Sequence, residues 1–314
     1  MKIKDYENYQ KNILEDVEKY LEKSEMTKSE QQFLNGIILQ KKPKKILEVG
    51  VAAGGSSIVI LNAIKDIDDA QLYSIDKNEN YYVNNEYKTG YLIEKFLPHL
   101  KDKWKLYTGG ITASFIENIA NGKEIDLCVL DTVHHVPGEL LDILMILPFM
   151  KKDGIIVLHD VMYNCLNYKI GISKKYKCFN NKIGISNNVL FSVVKAEKIL
   201  PNFSEYFVNG VPYPNIGAFI INEETLNNVD DIFFSLSLNW AYIPEEKDIE
   251  IMRKLFMKYY NEENIKKFDI IYEFYKKESE SLKYRINSYK HRRSAIICFK
   301  FFQFINNIKR MFIK

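Results

Sequence analysis

The chain has 314 residues, 46% of them hydrophobic and 27% charged, with a formal net charge of +3. That composition excludes a disordered or collagen-like chain and supplies apolar material for one large domain or two ordinary ones. Four cysteines without paired spacing (Cys128, Cys165, Cys178, Cys298) fit reduced thiols, and the longest apolar run, Ile143–Met150, is too short for a membrane span.

Apolar residues near the N-terminus fall at helical spacing. Tyr9, Ile13, Leu14, Val17, Tyr20 and Leu21 share one face, and Phe33, Leu34, Ile37 and Ile38 begin a second stripe. They predict a helical cap over residues 1–43. From Lys44 short apolar strands take over: Ile46–Val51, Leu72–Ile75, Lys105–Tyr107, Ile125–Leu130 and Gly154–Leu158. Helical stretches Ser56–Ile67, Ile111–Ala120 and Pro137–Met150 separate them. This alternation predicts an α/β fold, a doubly wound and mostly parallel sheet covered on both faces. The domain is expected over residues 44–245, with a helix around Val189–Ile199 and one more strand, Ile216–Ile221, near the sheet edge. After Pro244 the pattern is helical, a C-terminal extension over 246–314.

Ligands of such sheets bind beyond the carboxyl ends of the strands, so the residues that follow each strand carry the functional information. After the first strand comes Glu48-Val49-Gly50-Val51-Ala52-Ala53-Gly54-Gly55-Ser56-Ser57. Gly50 and Gly54 allow a tight turn and close approach of backbone to ligand, and Ser56 is placed to cap the next helix. The spacing is not the G-x-G-x-x-G of a dinucleotide site. Glu48 would repel a pyrophosphate, which points away from NAD and towards a cationic ligand such as a sulfonium. Strand two ends at Asp76, placed to accept the ribose hydroxyls of an adenosine. Strand four ends at Asp131, followed by Thr132-Val133-His134-His135, and strand five ends at His159-Asp160. Parallel neighbours would bring these carboxylates and imidazoles to one rim, where they repel or compete unless a cation sits between them.

The segment Lys44–Asp160 resembles class I S-adenosylmethionine-dependent methyltransferases. "ILEVGVAAGGSS" is similar to their cofactor loop and "LYSID" to their ribose-binding strand. "IDLCVLDTVHHVPGELLDILMILPFMKKDGIIVLHD" resembles the acceptor side of metal-dependent bacterial O-methyltransferases of the macrocin and mycinamicin sugar type. The resemblance implies a cofactor site at Glu48, Gly50, Ala52, Gly54, Ser56, Asp76, Gly110 and Asp131. It implies Asp131, His159 and Asp160 as ligands of Mg²⁺ or Mn²⁺, and His134 as general base. The sequence departs from the family where His159 replaces an acid and Val161 stands in place of an Asn. The implied reaction is O-methylation of a hydroxyl, with a saccharide or glycosylated metabolite favoured by Tyr163, Asn164, Tyr168, Tyr176, Asn187, Asn188 and Tyr213. A metal-independent methyltransferase and a non-catalytic α/β module remain as alternatives.

Residues 281–314 hold nine Lys or Arg and no acid, so that a tail of +9 within a chain of +3 leaves the first 280 residues at −6. Ile297, Phe301, Phe304, Ile305, Ile308 and Phe312 lie at helical spacing among these charges. Such a helix suits an anionic membrane face, its own domain or a second subunit, whereas its apolar content does not suit nucleic acid. The mixed-charge start (Lys2, Lys4, Asp5, Glu7) lacks the apolar core of a secretion signal. The expectation is therefore a cytoplasmic protein with a small-molecule or glycan acceptor, a peripheral contact at the inner membrane face, and self-association as a further option.

Overall fold

The computed structural model describes residues 26–122, 124–162, 186–201, 207–208, 211–212 and 214–290. The expected helix over residues 9–21, the acceptor residues Tyr163, Asn164, Tyr168, Tyr176 and Tyr213, and the basic tail from 291 lie outside these residues.

Helix α1 (Lys28–Lys41) opens on a reciprocal cap: Thr27 Oγ1 accepts from the Glu30 amide at 3.4 Å, and Glu30 Oε2 accepts from the Thr27 amide at 2.7 Å. Two orphan donors of the first turn are thereby satisfied. The stripe Phe33, Leu34, Ile37 and Ile38 is fully buried, as its spacing predicts. Then come β1 (Lys45–Val49), α2 (Gly55–Ile64), β2 (Gln71–Asp76), α3 (Tyr91–Phe96), β3 (Trp104–Thr108) and α4 (Thr112–Ala120). They are followed by β4 (Ile125–Leu130), α5 (Gly138–Ile146) and β5 (Met150–His159). Predicted helix Pro137–Met150 stops at Ile146 because Pro148, which has no N–H to donate, starts a 3₁₀ turn at Leu147–Phe149.

Beyond β5 lie α6 (Ser186–Val193), β6 (Glu197–Ile199), a two-strand ribbon of β7 (Phe207–Val208) and β8 (Val211–Pro212), and β9 (Ile216–Ile220). The helix expected to reach Ile199 thus ends six residues earlier. Thr225 Oγ1 donates to the Lys195 carbonyl at 2.8 Å, and Glu197–Ile199 pairs with β9 instead. Short helices α7 (Glu223–Asn227) and α8 (Val229–Ser235) lead to α9 (Glu246–Tyr259) and α10 (Glu262–Lys290).

Seven strands form one sheet in the order β3-β2-β1-β4-β5-β9-β6. The first five are parallel, and β9 runs antiparallel to both of its neighbours. This is the doubly wound α/β sheet that the alternating pattern predicts. Ile46, Leu47, Leu127–Leu130 and Ile155–Leu158 are buried along their whole runs, as befits strands covered on both faces. From β1 the chain works outward to β3, then returns to β4 on the other side of β1. The order therefore reverses between β1 and β4, and the connections leaving their carboxyl ends part there to open a crevice.

The chain divides into two compact units, residues 1–267 and 268–314. In the second, Phe268 and Tyr272 stack with centroids 6.4 Å apart, and Lys276 lies over the Tyr272 ring. Among the described residues no helix is long and apolar enough to cross a membrane.

Candidate active site

At the switch between β1 and β4 the backbones nearly touch. A Cβ built on Gly50 would lie 1.7 Å from the Asp131 carbonyl oxygen, and Gly50 has φ +93°. Only glycine meets both conditions, so the residue that turns the chain out of β1 also lets β4 approach. The turn is held from the next strand. Asp76 Oδ2 accepts from the Val51 and Ala52 amides, each at 3.0 Å, and Oδ1 accepts from the Asn78 amide at 2.8 Å. Asp76 still lines the cavity, and its oxygens keep acceptor capacity for a ligand hydroxyl.

Glu48 does not face the ligand as the sequence suggests. It is fully buried beneath the loop and absent from the cavity wall. Its Oε1 accepts from Ser56 Oγ at 2.7 Å, and its Oε2 accepts from Ser57 and Ser74 Oγ, each at 2.6 Å. Burial outweighs these hydrogen bonds and raises its pKa to about 7. Glu48 is a buried clamp that ties β1, α2 and β2 together, and its charge is no reason to expect a cationic ligand. Ser56 reaches the cavity, but its hydroxyl serves Glu48; α2 starts at Gly55, with Gly54 as its N-cap. Gly54 itself stands behind the wall, against Ile93 and Gly90.

The cavity has a volume of about 610 Å³, within the range of small-molecule sites. Gly50, Ala52, Ser56, Asp76, Gly110, Asp131 and His134 all line it, so most of the predicted site residues share one wall. Thr112 and Thr132 line it too, their hydroxyls donating to Asp142 at 3.1 and 2.7 Å. Burial of Asp142 raises its pKa to about 6 against those hydrogen bonds.

The acidic rim converges. Asp131, His134 and Asp160 each offer a ligand atom, all lying within 4.8 Å of one another. His134 Nε2 stands 3.0 Å from Asp160 Oδ2 and 3.9 Å from Asp131 Oδ1, and its Nδ1 stands 3.5 Å from Glu139 Oε1. Burial pulls the His134 pKa down, but hydrogen bonds to Asp160 and Glu139 win and raise it to about 10. Glu139 is itself raised by burial to about 8 against the pull of His134, so the pair holds at least one proton at neutral pH. Asp160 is opposed by burial yet lowered by His134, by the His159 charge and by Asn215. It adopts φ +55°, and its Oδ1 accepts from Asn215 Nδ2. A non-glycine residue in the left-handed region at such a place is strain of the kind found at functional sites.

His159 departs from its expected part as a ligand. It is buried directly behind the three-residue group, with Nε2 at 3.3 Å from Glu30 Oε2 and Nδ1 at 3.3 Å from Asp131 Oδ2 and 3.6 Å from Asp160 Oδ2. Desolvation opposes its charge, but Asp131 and Glu30 overcome it and move the pKa well upward. The carboxylates of Glu30 and Asp131 on either side of the ring favour its protonated form. His134 takes its place beside the two aspartates. The two carboxylates suit a divalent cation of the Mg²⁺ or Mn²⁺ kind, and the neighbouring His134 Nε2 can either ligate such an ion or take a proton beside it, not both at once.

Several contributors have no signal in the sequence: Glu30 and Asn215, which fix His159 and Asp160, and Lys77, Tyr242 and Asp248 in the cavity wall. Glu139 and Asp142 had one, since both fall on the helix that follows the Asp131 loop, at i+8 and i+11 from Asp131.

Residues 47–161 match the family model described as a methyltransferase domain. No curated protein sequence matches the chain. Among solved structures, a provisionally assigned caffeoyl-CoA O-methyltransferase from Staphylococcus aureus is similar at 17% identity. The match covers 68% of this chain and 91% of that chain, with TM-score 0.44. An O-methyltransferase from Bacillus cereus in complex with S-adenosylhomocysteine is similar at 16% identity, over 68% and 91%, with TM-score 0.41. The Streptomyces achromogenes O-methyltransferase TomG, of tomaymycin synthesis and in complex with S-adenosylmethionine, is similar at 13% identity, over 68% and 89%, with TM-score 0.41.

Proposed function

We propose, from the premise that residues 47–161 are a methyltransferase domain and methyl transfer is the chemistry of the chain, a finer reading. The chain is an S-adenosylmethionine-dependent O-methyltransferase, assisted by a divalent cation and acting on a hydroxyl of a saccharide or glycosylated metabolite. The observation that carries it is the grouping of Asp131, His134 and Asp160 within 4.8 Å of one another, with Asp131 and His134 lining the same cavity as Gly50 and Asp76.

The residues divide the work. The Gly50–Ala52 turn brings main chain to the ligand, and Asp76 accepts from ribose hydroxyls at its free lone pairs. Gly110, with Thr112, walls the adenine end. Asp131 and Asp160 would hold Mg²⁺, and His134 borders it. The cation would supply positive charge that offsets both carboxylates, acidifies an acceptor hydroxyl and restores His134 to its neutral form. His134 Nε2 then removes the acceptor proton, with Glu139 on Nδ1 fixing the ring. Holding the nucleophilic oxygen about 3–3.5 Å from the methyl carbon and in line is the remaining task of the wall. The saccharide is supported by mixed polar and aromatic lining: Asn78, Tyr82, Thr132 and Tyr242 offer amide, hydroxyl and ring faces to a polyol.

The test is transfer of a labelled methyl group from S-adenosylmethionine to a panel of saccharides and glycosides. Product is expected with Mg²⁺, lost on chelation and regained on adding the ion back. His134→Ala should lower turnover by roughly 10²–10⁴-fold while S-adenosylhomocysteine still binds. Turnover indifferent to chelation would select the metal-independent reading, and label on acceptors other than carbohydrate would overturn the substrate class.

A further inference from the structure

The cavity has a wall that the methyltransferase-domain match does not include. Tyr242, Pro244, Asp248 and Met252 line it, and all four lie beyond residue 161. The two ends of this segment are held by different physics. At the far end of α9, Phe256 is fully buried, edge-on to Phe233 at 5.7 Å between centroids, and Tyr260 donates its hydroxyl to the Leu144 carbonyl at 2.6 Å. At the near end, Lys77 Nζ bonds Asp248 Oδ2 at 2.7 Å and Glu245 Oε1 at 2.6 Å. Lys77 directly follows Asp76, and both Lys77 and Asp248 line the cavity, so this ion pair joins the ribose side of the site to the outer wall. Asp248 is buried, whereas the Lys77 side chain is 47% exposed at the rim.

We propose that Lys77 and Asp248 form a latch that holds the start of α9 closed over the cofactor cavity, and that the latch sets how fast S-adenosylmethionine enters and S-adenosylhomocysteine leaves. Core packing at Phe256 and Tyr260 acts as the fixed end, and the polar bridge acts as the end that releases. An ion pair exposed on one side costs little to open, since water and salt replace it; a buried aromatic contact does not open so cheaply. Both residues are positioning residues, acting on the ligand through the wall they hold. The inference rests on the proposed identity of the cavity as the S-adenosylmethionine site.

Stopped-flow kinetics of S-adenosylhomocysteine with the full chain test it, using Lys77→Met, Asp248→Asn and the double variant. Lys77→Met is expected to speed association and dissociation together by about two- to fivefold, the weight of a half-exposed ion pair, and Asp248→Asn, which leaves the Lys77–Glu245 bond, by less. The double variant should be no faster than Lys77→Met, because that change already removes both bonds of the bridge. Faster dissociation with unchanged or slower association would mean an ordinary lost ligand contact and would overturn the latch, as would unchanged rates in all variants. Should Asp248→Asn disturb folding, Lys77→Met at the exposed partner decides alone. Failure of the wild-type chain to bind S-adenosylhomocysteine is a different outcome, which overturns the cofactor reading and the latch with it.

Discussion

At the scale of single residues, Glu48 shows how a charge can be read correctly as significant and wrongly as to its object. A carboxylate just before a glycine turn suggests an electrostatic partner for a ligand, and in sequence nothing distinguishes that from a clamp. The partners that decide are Ser56, Ser57 and Ser74, the last 26 positions away on a neighbouring strand. The consequence is a pH dependence with a definite sign. Glu48 has a folded pKa of about 7, above its ordinary value of 4.5, so the folded chain holds the proton more tightly than the unfolded one. Its contribution is fully present below pH 4.5 and is lost as pH rises through 7, by about 3 kcal/mol at most. Urea unfolding at pH 5 and pH 8 should show the wild type losing more stability than Glu48→Gln over that interval. Equal losses would mean that the carboxylate is ionised throughout. His159 repeats the lesson in reverse, since its bridging part depends on Glu30, 129 positions earlier and outside any motif.

At the scale of elements, the five parallel strands and the acidic groups at their ends were legible because fully covered strands leave continuous apolar runs and sharp polar stops. Asp76, Asp131 and Asp160 stand at such stops, and the fold gathers them at one edge. What was not legible depended on partners: β6 forms only because β9 offers it a ladder, and α6 ends where Thr225 takes a carbonyl. The β1 turn gives the sharpest test. Gly50→Ala must accommodate both φ +93° and a clash with the Asp131 backbone, at a cost of about 3 kcal/mol or more. Gly122 has φ +69° with open space around it, so Gly122→Ala should cost only about 1–2 kcal/mol. Calorimetric midpoints of the two variants compare them directly; equal midpoints would show that the close approach of β1 and β4 is not needed.

At the scale of the whole molecule, the methyltransferase-domain match ends at residue 161, but the sheet does not. Strand β9 hydrogen-bonds along β5 from Ile155 to His159, and the turn into it delivers Asn215 to Asp160. Lys77, in turn, is bonded to Glu245 and Asp248, more than 160 positions on. The later sequence is thus built into the site rather than appended to it, and a fragment cut to residues 44–161 should fare badly. Such a crop would bare the row of amides and carbonyls along Ile155–Leu158, which β9 now covers, and naked strand margins recruit one another. Light scattering should find the excised fragment as soluble aggregates, whereas a well-behaved monomer would show that β5 needs no neighbour. Evolutionary trimming of this chain therefore meets a physical floor: the antiparallel strand that arrives last in the sheet is what keeps the margin of β5 from becoming a glue line.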